Sequence, residues 1–186
     1  MKGSRIWILA VCLLLAPAYG VAQGVPGVTD TEVTIGITNP LSGPAALWGT
    51  TGVAAKAWAD YINDKGGVHG RKIKVILQDD GYNPARALAN LTEMKGKVFA
   101  VSALLGTAIV NTTKDFFAEN KILNITPYGD VRIFEKFPKD KLRWVFVSYP
   151  DYLDEAEFLT DHAVKNLGAK KISVFYQNDD YGKMGL

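Results

Sequence analysis

Catalysis would require a nucleophile beside a base, and metal binding would require clustered ligands. The chain supplies neither pattern. His69 and His162 lie far apart in sequence, with no E-x-x-H companion, and Cys12 is the single cysteine. Asp79 and Asp80 end an apolar run, where dinucleotide folds hold a ribose. The preceding loop, Asn39-Pro40-Leu41-Ser42-Gly43-Pro44, lacks G-x-G-x-x-G and sets two prolines where N–H donors would be needed. Gly49-Thr50-Thr51-Gly52 is not followed by Gly-Lys-Ser/Thr, so no phosphate loop forms there. Non-covalent capture asks for less. Gly106 and Thr107 stand where an apolar run gives way to a helical pattern. Their backbone N–H groups and the Thr hydroxyl can receive a carboxylate, helped by the helix dipole. The same pair also fits an ordinary helix N-cap.

These residues depend on an alternation of strand and helix. Val33–Thr38 reads as strand and Thr51–Lys65 as helix, with Val53, Ala54, Ala57, Trp58, Tyr61 and Ile62 on one apolar face. Lys72–Gln78 is strand. Asn83-Pro84 is an N-cap followed by proline at the first helical position, opening a helix that runs to about Lys95. Val98–Leu104 is strand, Thr107–Asn120 helix and Ile122–Thr126 a short buried strand. Tyr128–Leu142 shows no period. Trp144–Ser148 resumes as strand, Asp151–Asn166 as helix and Lys171–Tyr176 as strand, with a helix start at Tyr181-Gly182. Strands separated by helices of 10–15 residues imply an α/β fold: an open, mostly parallel sheet flanked by helices. The part up to about Phe146 can close a four- or five-stranded core. The remainder leaves an apolar face uncovered, so a second lobe is expected to be truncated and the whole protein to be about twice as long.

Composition fits a folded globular chain, at 48% hydrophobic and 22% charged. Residues 1–22 read as a signal peptide: Lys2 and Arg5 precede an apolar run from Ile6 to Ala16, and Gly20 and Ala22 place small side chains before a cleavage point. The rival, an uncleaved anchor, would need ~20 apolar residues. Lys2 and Arg5 belong to the 21 basic residues, so the mature chain balances its 19 acidic ones and nothing favours nucleic acid or an anionic membrane. Cys12 lies within the signal, so no disulfide is expected. The N-x-T triplets at Asn90, Asn111 and Asn124 are read as chance.

Ordered blocks along the chain resemble the periplasmic substrate-binding proteins of branched-chain amino acid ABC transporters. They are IGITNPLSGPAALWG (35–49), Ile62-Asn63 with Lys65-Gly66-Gly67 to Gly70, QDDGYNPARA (78–87), Ala118–Ile122 leading to Ile125-Thr126-Pro127, and ISVFYQNDDYGKMG (172–185). The resemblance implies a two-lobed trap that closes on a ligand held between the lobes. Residues 23–147 would form the first lobe, and 148–186 the hinge crossing and the start of the second. Non-enzymatic capture of an amino acid or related small organic molecule is expected, with periplasmic location, no cofactor, no metal, a membrane permease as partner and a monomeric state. The alternative is the extracellular sensor domain of a receptor with the same fold. An exported α/β enzyme is the third reading, disfavoured by the missing motifs.

The resemblance also assigns ligand positions. Gly106 and Thr107 fall where the family binds the ligand after its third strand. Tyr128, Gly129 and Asp130 follow the fourth strand at a ligand position. Small residues and a hydroxyl are usual there, so the large Tyr128 and acidic Asp130 depart from the pattern. Asp130 reads either as a partner for a ligand ammonium or as a solvated loop carboxylate. Trp48 matches an aromatic wall or a packing residue at a helix entry, and Tyr181 a second wall. Tyr149 and Tyr152 flank the crossing, either lining the cleft or covering it. Tyr82 lies where some relatives carry half of a disulfide. Ser42 and Gly43 read as turn-setting.

Overall fold

The computed structural model describes residues 24–186; the expected signal peptide lies outside them. Five parallel strands form one sheet in the order β2-β1-β3-β4-β5: β1 Glu32–Asn39, β2 Lys72–Asp79, β3 Ala100–Ser102, β4 Leu123–Ile125 and β5 Val145–Phe146. β1 and β2 pair along their whole length, from Glu32 opposite Lys72 to Asn39 opposite Asp79. The connecting helices are α1 Thr50–Asp64, α2 Pro84–Met94 and α3 Thr107–Asn120. A 3-10 turn, Val131–Phe134, and the short α4, Lys139–Leu142, occupy the stretch without sequence period. They lead through β5 to α5 Tyr152–Lys165 and α6 Asp180–Lys183.

Helices cover both faces of the sheet. A Cβ at Gly36 would sit 2.7 Å from the Met94 sulfur of α2, whereas one at Gly52 of α1 would meet Asn39 and Leu77. Gly36 and Asn39 are three residues apart on β1 and so point to opposite faces. The core gathers Leu91, Met94, Val98, Val101, Leu104, Ile109, Val110 and Phe117, all almost fully buried. Asn83 opens α2 as expected, its Oδ1 accepting from the N–H groups of Ala85 (2.9 Å) and Arg86 (3.1 Å).

Two expectations are corrected. The inward face of α1 is Gly52 and Ala59, not the stripe through Trp58 and Tyr61. Those two rings stack on each other at 5.0 Å and stay exposed, because the helix lies too close to the sheet for large side chains beneath it. Lys171–Tyr176 is not a strand. It has no ladder partner among the described residues, and Val174 and Phe175 are exposed. A strand exists only through its neighbour's hydrogen bonds, so alternation alone does not make one. Of the N-x-T asparagines, Asn124 is fully buried in β4, and Asn90 spends its amide on Thr38 Oγ1 (2.9 Å) and the Asp79 carbonyl (3.1 Å).

Candidate functional site

The sheet order reverses direction between β1 and β3, and the loops beyond the carboxyl ends of those strands part there. Crevices at such switch points are the usual ligand sites of open α/β sheets. A cavity of about 150 Å³ occupies this one. Trp48 reaches it from the β1–α1 loop, Gly106 and Thr107 from the start of α3, Tyr128 from beyond β4, Tyr149 from between β5 and α5, and Tyr181 from α6. The fold thus brings six of the eight expected ligand positions to one place.

The floor is built at α3. Leu105 bridges in parallel to Tyr128, and the Gly106 N–H donates to the Tyr128 carbonyl at 2.8 Å. Gly106 has φ +115°, and a Cβ there would lie 2.9 Å from the Tyr82 ring, so only glycine fits without strain. It is also the residue that caps α3, and it has no side chain with which to do so. Thr107 is therefore the first residue inside the helix rather than its N-cap. Its side chain is buried, with Oγ1 3.4 Å from the Asp130 N–H. The helix begins without a side-chain cap on its first N–H groups, the Gly106 N–H being engaged by the Tyr128 carbonyl, and Gly106 and Thr107 line the cavity.

Asn39 holds this floor against the opposite wall. Its Nδ2 donates to the carbonyls of Thr38 (2.6 Å) and Ala103 (2.8 Å), and its Oδ1 accepts from Thr51 Oγ1 at 3.1 Å. Ala103 has φ +55°, a left-handed turn that carries the chain from β3 towards Gly106. One side of the cavity is a run of edge-to-face tyrosines. Tyr128 lies 5.5 Å from Tyr149, Tyr149 5.9 Å from Tyr152, and Tyr152 5.2 Å from Tyr181, centroid to centroid. Burial pushes the Tyr152 and Tyr82 phenols above their ordinary range, so both stay neutral donors.

Gly129 and Asp130 do not line the cavity. A Cβ at Gly129 would lie 3.1 Å from Val110 Cγ2, so this residue lets the loop press onto α3. Asp130 is fully buried, and its Oδ1 accepts from the Arg132 N–H at 2.7 Å, capping the 3-10 turn. Its Oδ2 has no hydrogen-bond partner, and burial raises its pKa. The structure thus gives it neither of the settings foreseen, an exposed loop or a cavity wall. Arg132 reaches instead to Asp151, with Nε 2.7 Å from both carboxylate oxygens. Asp79 is likewise occupied. It holds the β1–α1 loop through the N–H groups of Leu41 and Ser42, the Ser42 hydroxyl (2.5 Å) and Arg86.

The lining adds Ala45, Thr51, Tyr82, Leu105 and Gln177, which the sequence did not single out for the ligand, and includes Tyr152, expected either to line the cleft or to cover it. For Tyr82 and Gln177 the signal was weak, since β2 ends three residues before one and the other precedes α6. Only the folded chain brings them together. Among the described residues, none of those lining the cavity carries a formal charge. Hydroxyls, amides, aromatic rings and one open helix start are what it offers a ligand.

A protein-family comparison matches residues 32–185 to the family described as periplasmic binding protein. A Leu/Ile/Val-binding protein homologue of Brucella melitensis is 27% identical over 173 residues, covering 92% of this chain and 46% of that protein. The chain thus spans about half the length of the curated relatives it matches. A possible leucine/isoleucine/valine-binding protein of Rhodopirellula baltica superimposes with TM-score 0.72 at 27% identity, covering 88% of this chain and 43% of that one. A fatty acid ABC transporter substrate-binding protein of Thermomonospora curvata does so with TM-score 0.69 at 27% identity, covering 86% and 41%. With its parallel five-stranded sheet and a cavity at the switch point, the chain belongs to the periplasmic binding protein family.

Proposed function

We propose that this protein is the extracytoplasmic solute receptor of an ABC transporter. It captures an amino acid or related small organic molecule between two lobes and presents it to the membrane permease. The observation that carries this reading is the open N-terminus of α3, with Thr107 buried at the floor of an uncharged, tyrosine-walled cavity. Such a helix start favours an anion, through unsatisfied N–H groups and the positive end of the dipole. The names of the relatives above share one chemical group. Branched-chain amino acids and fatty acids both carry a carboxylate. Residues 23–147 supply one wall and residues 148–186 open the second, and closure selects the ligand-bridged state of an open–closed equilibrium. Residues 1–22 direct export, and the mature receptor works as a monomer without cofactor.

Thermal shift of the full-length protein against amino acids, amides and aromatic acids tests the reading. A ligand at a hundredfold its Kd should add about 2.7 kcal/mol of stability. Thr107→Val should weaken a carboxylate ligand by roughly tenfold or more, since a hydrogen bond to a charged group is worth about 1.5–3 kcal/mol. A carboxylate ligand that binds wild type and variant equally would place it elsewhere.

A further inference from the structure

The receptor reading above, on which this inference rests, needs two bodies that swing about a short link. Residues 147–151, between β5 and α5, carry no regular structure and form that link. Among the described residues, both ion pairs that join residues 24–147 to residues 148–186 are made by one side chain, Arg132. Its backbone is fixed first, the Arg132 N–H donating to the buried Asp130 carboxylate at 2.7 Å. Its guanidinium then reaches past the link, with Nε 2.7 Å from both oxygens of Asp151 and Nη2 3.3 Å from Asp154. The Arg132 and Asp151 side chains are 33% and 21% exposed, so water screens their pair only in part; Asp154, at 73%, adds little.

Asp151 has a second role. Its Oδ1 also accepts from the N–H groups of Leu153 (2.9 Å) and Asp154 (3.3 Å), so the carboxylate that pairs with Arg132 also caps α5. The guanidinium holds that carboxyl below its ordinary range, which keeps the pair charged at neutral pH. Tyr152 is the next residue and lines the cavity, its ring 5.9 Å from Tyr149 and 5.2 Å from Tyr181. Its hydroxyl meets Thr107 at the start of α3, on the far side of the link. Tilting α5 would carry Tyr152 away from Thr107. Arg132 itself lies outside the lining, so it acts on the walls without touching what they hold. We propose that Arg132 is a positioning residue: by pairing with Asp151 it sets the angle between the two bodies and favours the closed arrangement before any ligand arrives.

Spin labels on cysteines introduced at the exposed Lys97 and Lys165 report the separation of the two bodies in the ligand-free, full-length protein. Arg132→Met and Asp151→Asn should each raise the ratio of long to short separations by roughly fivefold, as a well-placed ion pair near the surface allows. Asparagine keeps the cap on α5, so a shift with Asp151→Asn does not come from a frayed helix. The double variant should move no further than either single one, because the two side chains act as a unit. Raising the salt from about 0.05 M to about 0.5 M should shift the wild type in the same direction and the variants much less. Unchanged separations in both single variants, or a double variant displaced by the sum of the two, would overturn the proposal. Separations that respond to Arg132→Met but to none of the amino acids, amides and aromatic acids above would reject the receptor reading and keep the ion pair. Unchanged separations in the variants beside a thermal-shift hit would do the reverse.

Discussion

Asn39 Nδ2 lies 2.8 Å from the carbonyl oxygen of Ala103, so a buried amide at the end of β1 fixes the turn that leads to Gly106 and Thr107. The same side chain holds Thr51 at the start of α1. Asn39→Ala would leave the Ala103 carbonyl short of a partner, while the Thr51 hydroxyl would keep the Trp48 carbonyl at 2.9 Å. A buried polar group left unsatisfied costs about 1–3 kcal/mol. Chemical denaturation should show a loss in that range, and ligand affinity should fall because the α3 start loses its anchor. A variant as stable as wild type and binding as tightly would show that Asn39 only fills space.

Asp79 anchors the loop that presents Trp48. The Ser42 hydroxyl first, with the N–H groups of Gly81 and Leu41 and the guanidinium of Arg86, holds its carboxyl well below the ordinary 3.8. A depressed carboxylate contributes stability that is present above its unfolded pKa and fades as pH falls towards its folded one. Ser42→Ala should therefore lower the Tm at pH 7, and the gap to wild type should narrow only as pH falls below the ordinary 3.8 towards the depressed pKa of the carboxyl. A gap of constant size across that interval would mean that the hydroxyl acts on the turn and not on the charge.

Local signals were legible wherever a few neighbouring residues decide the outcome. Asn83-Pro84 fixes the start of α2 by itself, and β1 and β2 follow from their apolar runs. Trp48, Gly106, Thr107, Tyr128, Tyr149 and Tyr181 were placed through the resemblance, and the fold collects them. What failed needed distant partners. The inward face of α1 depends on how closely the helix approaches Asn39 and Leu77, which favours Gly52 and Ala59 over the more apolar Trp58 and Tyr61. Lys171–Tyr176 has strand composition but no neighbour to pair with. Asp130 could have been read from its own surroundings, since an acidic residue two before a helical N–H is a common cap.

Gly52 offers a case where two effects oppose each other. Replacing a helix-interior glycine by alanine ordinarily stabilises by up to about 1 kcal/mol. Here the new Cβ would lie 2.6 Å from Asn39 Oδ1 and 2.9 Å from Leu77 Cδ1. Asn39 cannot yield without releasing Ala103 and Thr51. Overpacking costs of about 1–3 kcal/mol should therefore win, and Gly52→Ala should unfold at lower denaturant than wild type. A more stable variant would show that α1 can lift from the sheet at little cost.

Asp130 is the buried acid whose carboxylate does not reach the cavity, and pH separates its structural role from a role in binding. Burial raises its pKa above the ordinary value, with Asp151 adding to the rise and the Arg132 N–H and guanidinium opposing it. An acid raised in the folded state favours folding below its unfolded pKa and loses that contribution as pH climbs through its folded one. Asparagine can accept the same Arg132 N–H without ever carrying charge. The stability of Asp130→Asn relative to wild type should accordingly grow as pH rises from about 4 to 7, measured by urea midpoints across that window. A relative stability that falls over the same window would mean that the charged form is the one the fold uses. Because the carboxylate lies off the cavity, ligand affinity at neutral pH should stay within about twofold of wild type, a difference of only ~0.4 kcal/mol. A tenfold loss would place Asp130 in contact with the ligand and reopen the case for an ammonium group there.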